Sequence, residues 1–213
     1  MKNAHAVTRD FEAALVEYTG APYAVAVNSC TMALLLACQW HRLYRTEFPL
    51  NQPYGIARPY VSIPKRTYVS VPQSIIHAGY WPVYRNREWI GCYQLEPLPV
   101  WDCARMFTSE MYKTGQMQCV SFHTSKILGD TQGGAILHDN SVADIWFRHA
   151  RFDGRTEGVP PAQDTFTLGW HCYMSPDVAT RLLAKLGTLS RDNDPLPNDD
   201  YPDLSLTDWG ALR

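Results

Sequence analysis

Three segments of the sequence place reactive or ion-binding side chains directly after short apolar runs. The most informative is Cys119-Val-Ser-Phe-His-Thr-Ser-Lys126, followed closely by Gly133 and Gly134. A lysine just beyond a strand is usually solvated, but in a pocket its amine can act as a nucleophile or form a Schiff base. The two glycines would let other backbone pack closely beside it. Lys126 is therefore a candidate reactive amine.

The other two segments could bind ions. In Asn28-Ser-Cys-Thr-Met32, an apolar run meets small polar residues at the predicted start of a helix. The free N–H groups and the dipole of such a start attract anions, although taken alone a plain helix cap is the commoner explanation. Asp102 follows another apolar run, where its carboxylate could hold a cationic ring nitrogen. A turn aspartate is again commoner in isolation.

These segments must be positioned by the surrounding helices and strands. Helical spacing of apolar residues predicts helices, and short apolar runs between turn residues predict strands. The predicted helices are 11–18, 32–40, 71–77, 144–151 and 176–186, and the predicted strands are 23–27, 60–63, 81–84, 98–101, 119–122 and 134–137. This alternation predicts an α/β fold with a largely parallel sheet, which binds ligands at the carboxyl ends of its strands. Loops are predicted at 52–58 and 190–203.

Composition excludes several classes of protein. The 213 residues are 46% hydrophobic and 19% charged, with a net charge of −2, so no nucleic-acid or membrane partner is expected. No apolar run approaches the ~20 residues that span a bilayer, and the N-terminus lacks a signal-peptide pattern, so we expect a cytoplasmic protein. Six cysteines without C-x-x-C spacing predict reduced thiols and no metal site. Arg148, Arg151 and Arg155 lie near one predicted helical face, which we expect to be solvated, with a phosphate-facing cluster as the alternative.

Taken in order, the motifs resemble the DegT family of sugar aminotransferases, which use pyridoxal 5′-phosphate (PLP). The resemblance extends over about residues 11–186. Segment 18–33 is similar to the one that opens the family's cofactor site, and 63–68 to the one that carries an aromatic over the cofactor ring. Trp101-Asp-Cys-Ala104 resembles the segment that holds the ring nitrogen, and Ser121-Phe-His-Thr-Ser-Lys126 with Gly133-Gly134 resembles the Schiff-base signature. Segment 168–175 is similar to a late Gly/Asn/Arg-Met motif. It implies the large domain of the fold type I PLP-dependent transferases, three layers with a mostly parallel sheet flanked by helices.

The resemblance also implies a role for individual residues. Lys126 would hold PLP as a Schiff base and move a proton between the substrate Cα and the cofactor C4′. Asp102 would keep the ring nitrogen protonated, so that the ring acts as an electron sink. Tyr68 would stack on the ring, and Arg105 stands where the family usually has Gln or His beside the cofactor. The remaining predicted cofactor-binding residues are Ser29, Cys30, Thr31 and Ser121 at the phosphate, and His171 at the phosphate of the neighbouring subunit of a homodimer.

Departures from the family pattern predict a shortened, divergent member. Only 20 positions separate Pro82 from Asp102, where the family has a longer strand-helix-strand passage. Tyr173 and Gln132 replace an arginine and an acidic residue. The family continues beyond the position of Leu186 into a small domain. We therefore expect a single PLP-binding large domain over 1–213, lacking the small C-terminal domain, with 187–213 as a tail.

The resemblance implies a transaminase with small-molecule substrates. The amino group would come from an amino acid, with glutamate as the first guess, and would go to a keto-sugar or similar carbonyl. Another PLP reaction, such as decarboxylation or elimination, remains an alternative, because the same lysine and aspartate serve all of them. A degenerate scaffold that binds PLP or a partner protein without turnover is a third possibility.

Overall fold

The fold is built around a five-stranded sheet with helices on both faces. The structure, a computed structural model, describes residues 5–44, 59–198 and 201–209. Its helices are α1 (Ala6–Thr19), α2 (Cys30–Tyr44), α3 (Ser70–His77), α4 (Ser141–Ala150) and α5 (Pro176–Leu186). Its strands are β1 (Tyr23–Val27), β2 (Tyr60–Pro64), β3 (Trp81–Arg85), β4 (Tyr93–Gln94), β5 (Val100–Asp102), β6 (Met117–Ser121) and β7 (Gly134–His138). The predicted loop at 52–58 lies outside the described residues.

Each predicted helix and strand has a counterpart in this arrangement, and β1 has the predicted bounds. The strand that the sequence did not predict is β4, because two residues are too short to show a period. None of the described helices is both long enough and apolar enough to cross a membrane.

The α/β fold class is confirmed, but the prediction of a mostly parallel sheet needs a correction. The strand order is β1-β7-β6-β5-β4, and only β5 and β6 pair in parallel within it. The chain between β6 and β7 closes on itself, with the N–H of Phe122 donating to the carbonyl of Gly133 at 2.9 Å. It therefore re-enters the sheet beside the strand it left, running the other way. β4 and β5 are joined by an equally direct turn, whereas β2 and β3 form a separate parallel pair.

Both faces of the sheet are buried, which gives the predicted three layers. Alternate residues of β1 point to opposite sides: Val25 and Val27 pack with α2, α3 and α4, whereas Ala24 and Ala26 pack with α1 and α5. A strand buried on both faces shows no polar alternation, which is why these segments are continuous apolar runs in the sequence.

The described part of the segment predicted as a tail lies against this body. The N–H of Leu196 donates to the carbonyl of Arg105 at 2.8 Å, and the N–H of Leu204 donates to that of Lys65 at 2.9 Å. Leu204 is itself buried. This part of the chain is therefore packed structure.

A buried ion cluster ties α4 to α1 and corrects the expectation of a solvated arginine face. Arg151 is only 2% exposed, and its guanidinium donates to Glu12 and to the carbonyl of Ala26. Arg148 donates to the other oxygen of Glu12 at 2.7 Å. Burial raises the pKa of Glu12, but the charges of Arg151 and Arg148 outweigh this and hold the pKa below its ordinary value.

We expect Glu12→Gln to destabilise the fold by about 3–5 kcal/mol, because it leaves the buried charge of Arg151 poorly compensated. The lowered pKa means that this carboxylate stabilises the fold fully above its ordinary pKa of 4.5 and loses that contribution as the pH falls through its lower folded-state pKa. Urea unfolding at pH 7 and at lower pH measures both effects. Glu17→Gln, at an exposed position of the same helix, is the matched control. Equal stabilities of the two variants at pH 7 would contradict the prediction.

Candidate active site

One cavity collects the side chains that the sequence analysis selected. It has a volume of about 340 Å³ and lies where β1, β5 and β6, which run in one direction, reach their carboxyl ends. Eight of the nine predicted site residues line it: Ser29, Cys30, Thr31, Tyr68, Asp102, Arg105, Ser121 and Lys126. Residues spread over nearly a hundred positions of sequence thus meet at one sheet edge, as ligand sites in α/β folds do.

Asp102 ends β5 and presents a buried carboxylate to the cavity. It is 4% exposed; one oxygen accepts from the N–H of Ala104 and the other from the hydroxyl of Tyr93, both at 2.9 Å. Burial raises the pKa of Asp102, while these hydrogen bonds and the charge of Lys126 act in the opposite direction. A buried carboxylate in this setting favours a cationic group brought next to it.

Tyr93 is a site residue that the sequence analysis missed. It lies directly opposite Asp102 in the β4–β5 pair, which is why its hydroxyl reaches the carboxylate. The hydroxyls of Tyr93 and Thr67 are 2.5 Å apart, and since Tyr93 donates to Asp102, Thr67 donates to Tyr93. Burial and the neighbouring Asp102 raise the pKa of Tyr93 well above its ordinary value, so it stays a donor. This chain of hydrogen bonds from Thr67 through Tyr93 to Asp102 follows from the strand register, which the sequence alone does not show.

The N-terminus of α2 forms a second side of the cavity. The Ser29 hydroxyl accepts from the N–H of Met32 at 3.3 Å, and Thr31 donates to Ser70 at the start of α3 at 2.8 Å. A Cβ added at Gly134 would lie 2.5 Å from the backbone nitrogen of Cys30, so this close approach requires glycine. The helix dipole and hydroxyls make this side suited to an anion.

Lys126 reaches the cavity from the loop between β6 and β7. Phe122 is fully buried and anchors the start of the loop, and the N–H of Asp130 donates back to its carbonyl at 2.8 Å. Arg181 and Lys185 of α5 both contact the Asp130 carboxylate, at 2.8 and 3.0 Å. The loop that presents Lys126 is therefore fixed at its base and at its far end.

Two further predicted residues form the outer wall. Tyr68 lines the cavity and is 58% exposed, so more than half of this residue is open to solvent. Arg105 is buried and donates to the hydroxyl of Tyr201 at 3.3 Å. Tyr201 and Trp89 also line the cavity, although the sequence analysis singled out neither. Tyr201 lies in the Asp, Asn and Pro-rich stretch, where no sequence signal pointed to the site.

His171 is the predicted site residue that does not line the cavity. Its side chain is exposed, and its Nδ1 lies 2.8 Å from a carboxylate oxygen of Asp153. The role implied for it is directed at a neighbouring subunit, and it stays a prediction.

Chemically, the cavity could hold a planar cationic ring that carries an anionic group. Asp102 offers the carboxylate for the cation, the start of α2 offers the anion site, and Lys126 offers a primary amine in the same cavity. These three functions come from three separate elements, so a molecule binding to all of them must span the cavity.

Next to this site, the thiol of Cys92 differs from the other five thiols of the chain in the direction of its pKa shift. It precedes Tyr93, as Cys103 follows Asp102, so the two cysteines lie opposite each other. A hydrogen bond from Cys103 lowers the pKa of Cys92 to about 7. Burial raises the pKa of the other five, Cys30, Cys38, Cys103, Cys119 and Cys172.

We expect iodoacetamide to modify Cys92 first, at a rate that rises through about pH 7 as its thiolate forms. Mass spectrometry of peptides after short exposure locates the modified residue. In Cys92→Ser this fast modification should disappear, and in Cys38→Ser it should remain. Equal modification of several cysteines at pH 7 would show that the pKa of Cys92 is not special.

Comparisons with known proteins agree with this geometry. Residues 3–88 match the family model of the DegT/DnrJ/EryC1/StrS aminotransferase family. A DegT DnrJ EryC1 StrS aminotransferase from Brucella abortus superimposes with a TM-score of 0.67 at 18% identity, covering 85% of this chain and 58% of that one. PseC of Helicobacter pylori, an aminotransferase involved in the biosynthesis of pseudoaminic acid, superimposes with a TM-score of 0.64 at 17% identity. The match covers 85% of this chain and 57% of PseC.

A third solved structure, the sugar aminotransferase CalS13 from Micromonospora echinospora, gives a TM-score of 0.65 at 15% identity, covering 86% of this chain and 61% of that one. The chain thus spans about three fifths of the length of these solved relatives. No curated protein matches the sequence. The resemblance found in the motifs is confirmed: residues 3–88 are similar to the DegT/DnrJ/EryC1/StrS aminotransferase family, and the chain has the α/β fold of PLP-dependent aminotransferases.

Proposed function

We propose that this protein is a PLP-dependent aminotransferase. It transfers an amino group from an amino acid, with glutamate as the first candidate, to a keto-sugar or similar carbonyl compound. The observation that carries the proposal is the meeting of the Lys126 amine, the buried Asp102 carboxylate and the N-terminus of α2 in one cavity.

The residues of the cavity fit PLP in charge and in chemical type. The buried Asp102 matches a protonated ring nitrogen, because a cation there relieves the cost of its burial. Ser29, Cys30 and Thr31 at the start of α2, together with Ser121, match a phosphate. Gly134 matters here as well, since any side chain at that position would displace the backbone of Cys30. When bound, PLP supplies an electron sink for the substrate Cα.

In the proposed mechanism, residues of this chain bind the cofactor, orient it and move the proton. Lys126 would hold the cofactor, and its amine would accept the proton from the substrate Cα and deliver it to the cofactor C4′. Asp102 keeps the proton on the ring nitrogen, and Tyr93 holds the carboxylate in place. Tyr68 would stack on the ring, and the start of α2 would hold the phosphate; both line the cavity.

Support for a sugar acceptor comes from relatives with the same fold. PseC is named for the biosynthesis of pseudoaminic acid and CalS13 as a sugar aminotransferase. At 15–17% identity these likenesses fix the fold, so the acceptor is proposed on this family resemblance. A soluble, cytoplasmic homodimer is part of the same proposal, with exposed His171 directed at the cofactor phosphate of the neighbouring subunit.

The test of this proposal is reconstitution with PLP followed by titration with amino acids. We expect a visible absorption band for the bound cofactor, its loss on adding glutamate, and formation of 2-oxoglutarate in equal amount. Carbon dioxide release or elimination products in place of the keto acid would support another PLP reaction. Binding of PLP with no response to any amino acid would support a scaffold without turnover. Sedimentation of the reconstituted protein tests the dimer, and a monomer with full PLP occupancy would contradict it.

A further inference from the structure

A C-terminal strap, defined as residues 190–198 and 201–206, crosses the outer side of the cavity. It is held at both ends. Tyr18 of α1 donates to the carbonyl of Ser190, and at the other end Lys65 pairs with the carboxylate of Asp203 at 2.8 Å. The burial of Leu204 adds an apolar anchor. The strap is therefore part of the folded wall of the cavity.

Tyr201 is the strap residue that enters this wall. The guanidinium of Arg105 donates to its hydroxyl at 3.3 Å. Its ring stacks on Trp89 with centroids 6.3 Å apart and meets Tyr68 edge-on at 6.5 Å. Other groups of the strap contact the same residues, because the backbone N–H of Leu196 donates to the carbonyl of Arg105 and the side-chain amide of Asn198 donates to that of Trp89. Arg105 and Trp89 are thus held twice by one segment.

The stacked pair of Tyr201 and Trp89 also separates two cavities. Both residues line the candidate active site and a second cavity of about 530 Å³, which Lys65, Arg66 and Arg87 surround. Arg66 donates to the carbonyl of Tyr201 at 3.0 Å, which fixes the strap on that side. Loss of the Tyr201 ring would therefore remove part of the wall between the two cavities and the hydrogen bond that Arg105 donates to the Tyr201 hydroxyl.

We propose that Tyr201 is a positioning residue that shapes the substrate side of the site through Arg105 and Trp89. The proposal rests on the function proposed above. Tyr201 contacts the outer wall, whereas the residues proposed for the phosphate and the ring nitrogen lie on α2, β5 and β6. Because Arg105 and Tyr68 are also predicted beside the cofactor ring, loss of Tyr201 is expected to weaken binding of the amino-acid donor and, to a smaller extent, binding of PLP, whose phosphate and ring-nitrogen contacts remain.

The test compares three variants of the full chain: Tyr201→Ala, Tyr201→Phe and Leu206→Ala. Leu206 is 85% exposed on the same strap and serves as the matched control. For Tyr201→Ala we expect the KM for glutamate to rise at least about tenfold, with a smaller rise in the Kd for PLP and little change in kcat. Tyr201→Phe keeps the stacking and loses the bond from Arg105, so its KM should lie between those of wild type and Tyr201→Ala. Leu206→Ala should match wild type.

Thermal unfolding of each variant separates local effects from misfolding. If Tyr201→Ala fails to fold, Tyr201→Phe still tests the proposal, because this variant removes only one hydroxyl group. A KM that falls in Tyr201→Ala would overturn the proposal by showing that Tyr201 obstructs the site. An unchanged KM in both Tyr201 variants would overturn it too. Absence of a PLP band or of a glutamate reaction in the wild type would instead refute the proposed function.

Discussion

Replacing Lys126 by alanine is expected to abolish the covalent link between the protein and PLP. Wild-type protein treated with borohydride should retain the cofactor on one peptide, the one containing Lys126, and the variant should retain none. Turnover should fall by about 10³-fold or more, because the same amine moves the proton at the substrate Cα. This is the largest effect that we expect from a single substitution.

The structure makes this prediction specific among the lysines. Lys126 is the lysine of the described residues that lines the cavity, whereas Lys65 pairs with Asp203 and Lys185 with Asp130. Lys113→Ala is the matched control, since Lys113 is exposed away from the site and its loss should leave the link intact. Cofactor that borohydride still fixes to Lys126→Ala would show that another amine is used.

Substituting Asp102 by asparagine is expected to leave PLP bound and to slow removal of the Cα proton by about 10²-fold or more. A neutral amide cannot hold the proton on the ring nitrogen, and the electron sink is weakened. Single-turnover mixing with glutamate and with Cα-deuterated glutamate measures this step. Tyr93→Phe removes one hydrogen bond to the carboxylate and keeps its charge, so its effect should be much smaller. Near-normal turnover of Asp102→Asn would rule out the role of Asp102.

Stability measurements distinguish slower proton removal in Asp102→Asn from partial unfolding of the variant. The pKa of Asp102 is raised in the folded protein, so its ionised form is less favourable there than in the unfolded chain. Whatever stability this group contributes is present at low pH and is lost as the pH rises through its pKa. At neutral pH without cofactor, Asp102→Asn should therefore be at least as stable as the wild type, and thermal unfolding checks this.

Local sequence patterns are enough to predict the individual helices and strands and most of the residues of the candidate site. The predictable segments share one pattern, a short apolar strand that leads directly into polar residues. They are β1, the start of α2, Asp102 and the Lys126 loop. The carboxyl ends of parallel strands share a sheet edge, so local patterns sufficed to bring these residues together. The residues at the start of α2 needed no tertiary information either, because a helix N-terminus attracts anions through its own backbone.

Contacts between segments that are distant in sequence are visible in the folded structure and not in the sequence. Tyr93 meets Asp102 through the register of a two-residue strand, and β7 reverses direction because the Lys126 loop closes on itself. Arg151 is buried because α1 covers it with Glu12, which helical spacing on α4 cannot show. Tyr201 reaches the cavity from a stretch whose composition is typical of a loop. In each case the partner lies far away in sequence, and the free energy of the contact depends on packing that no local pattern encodes.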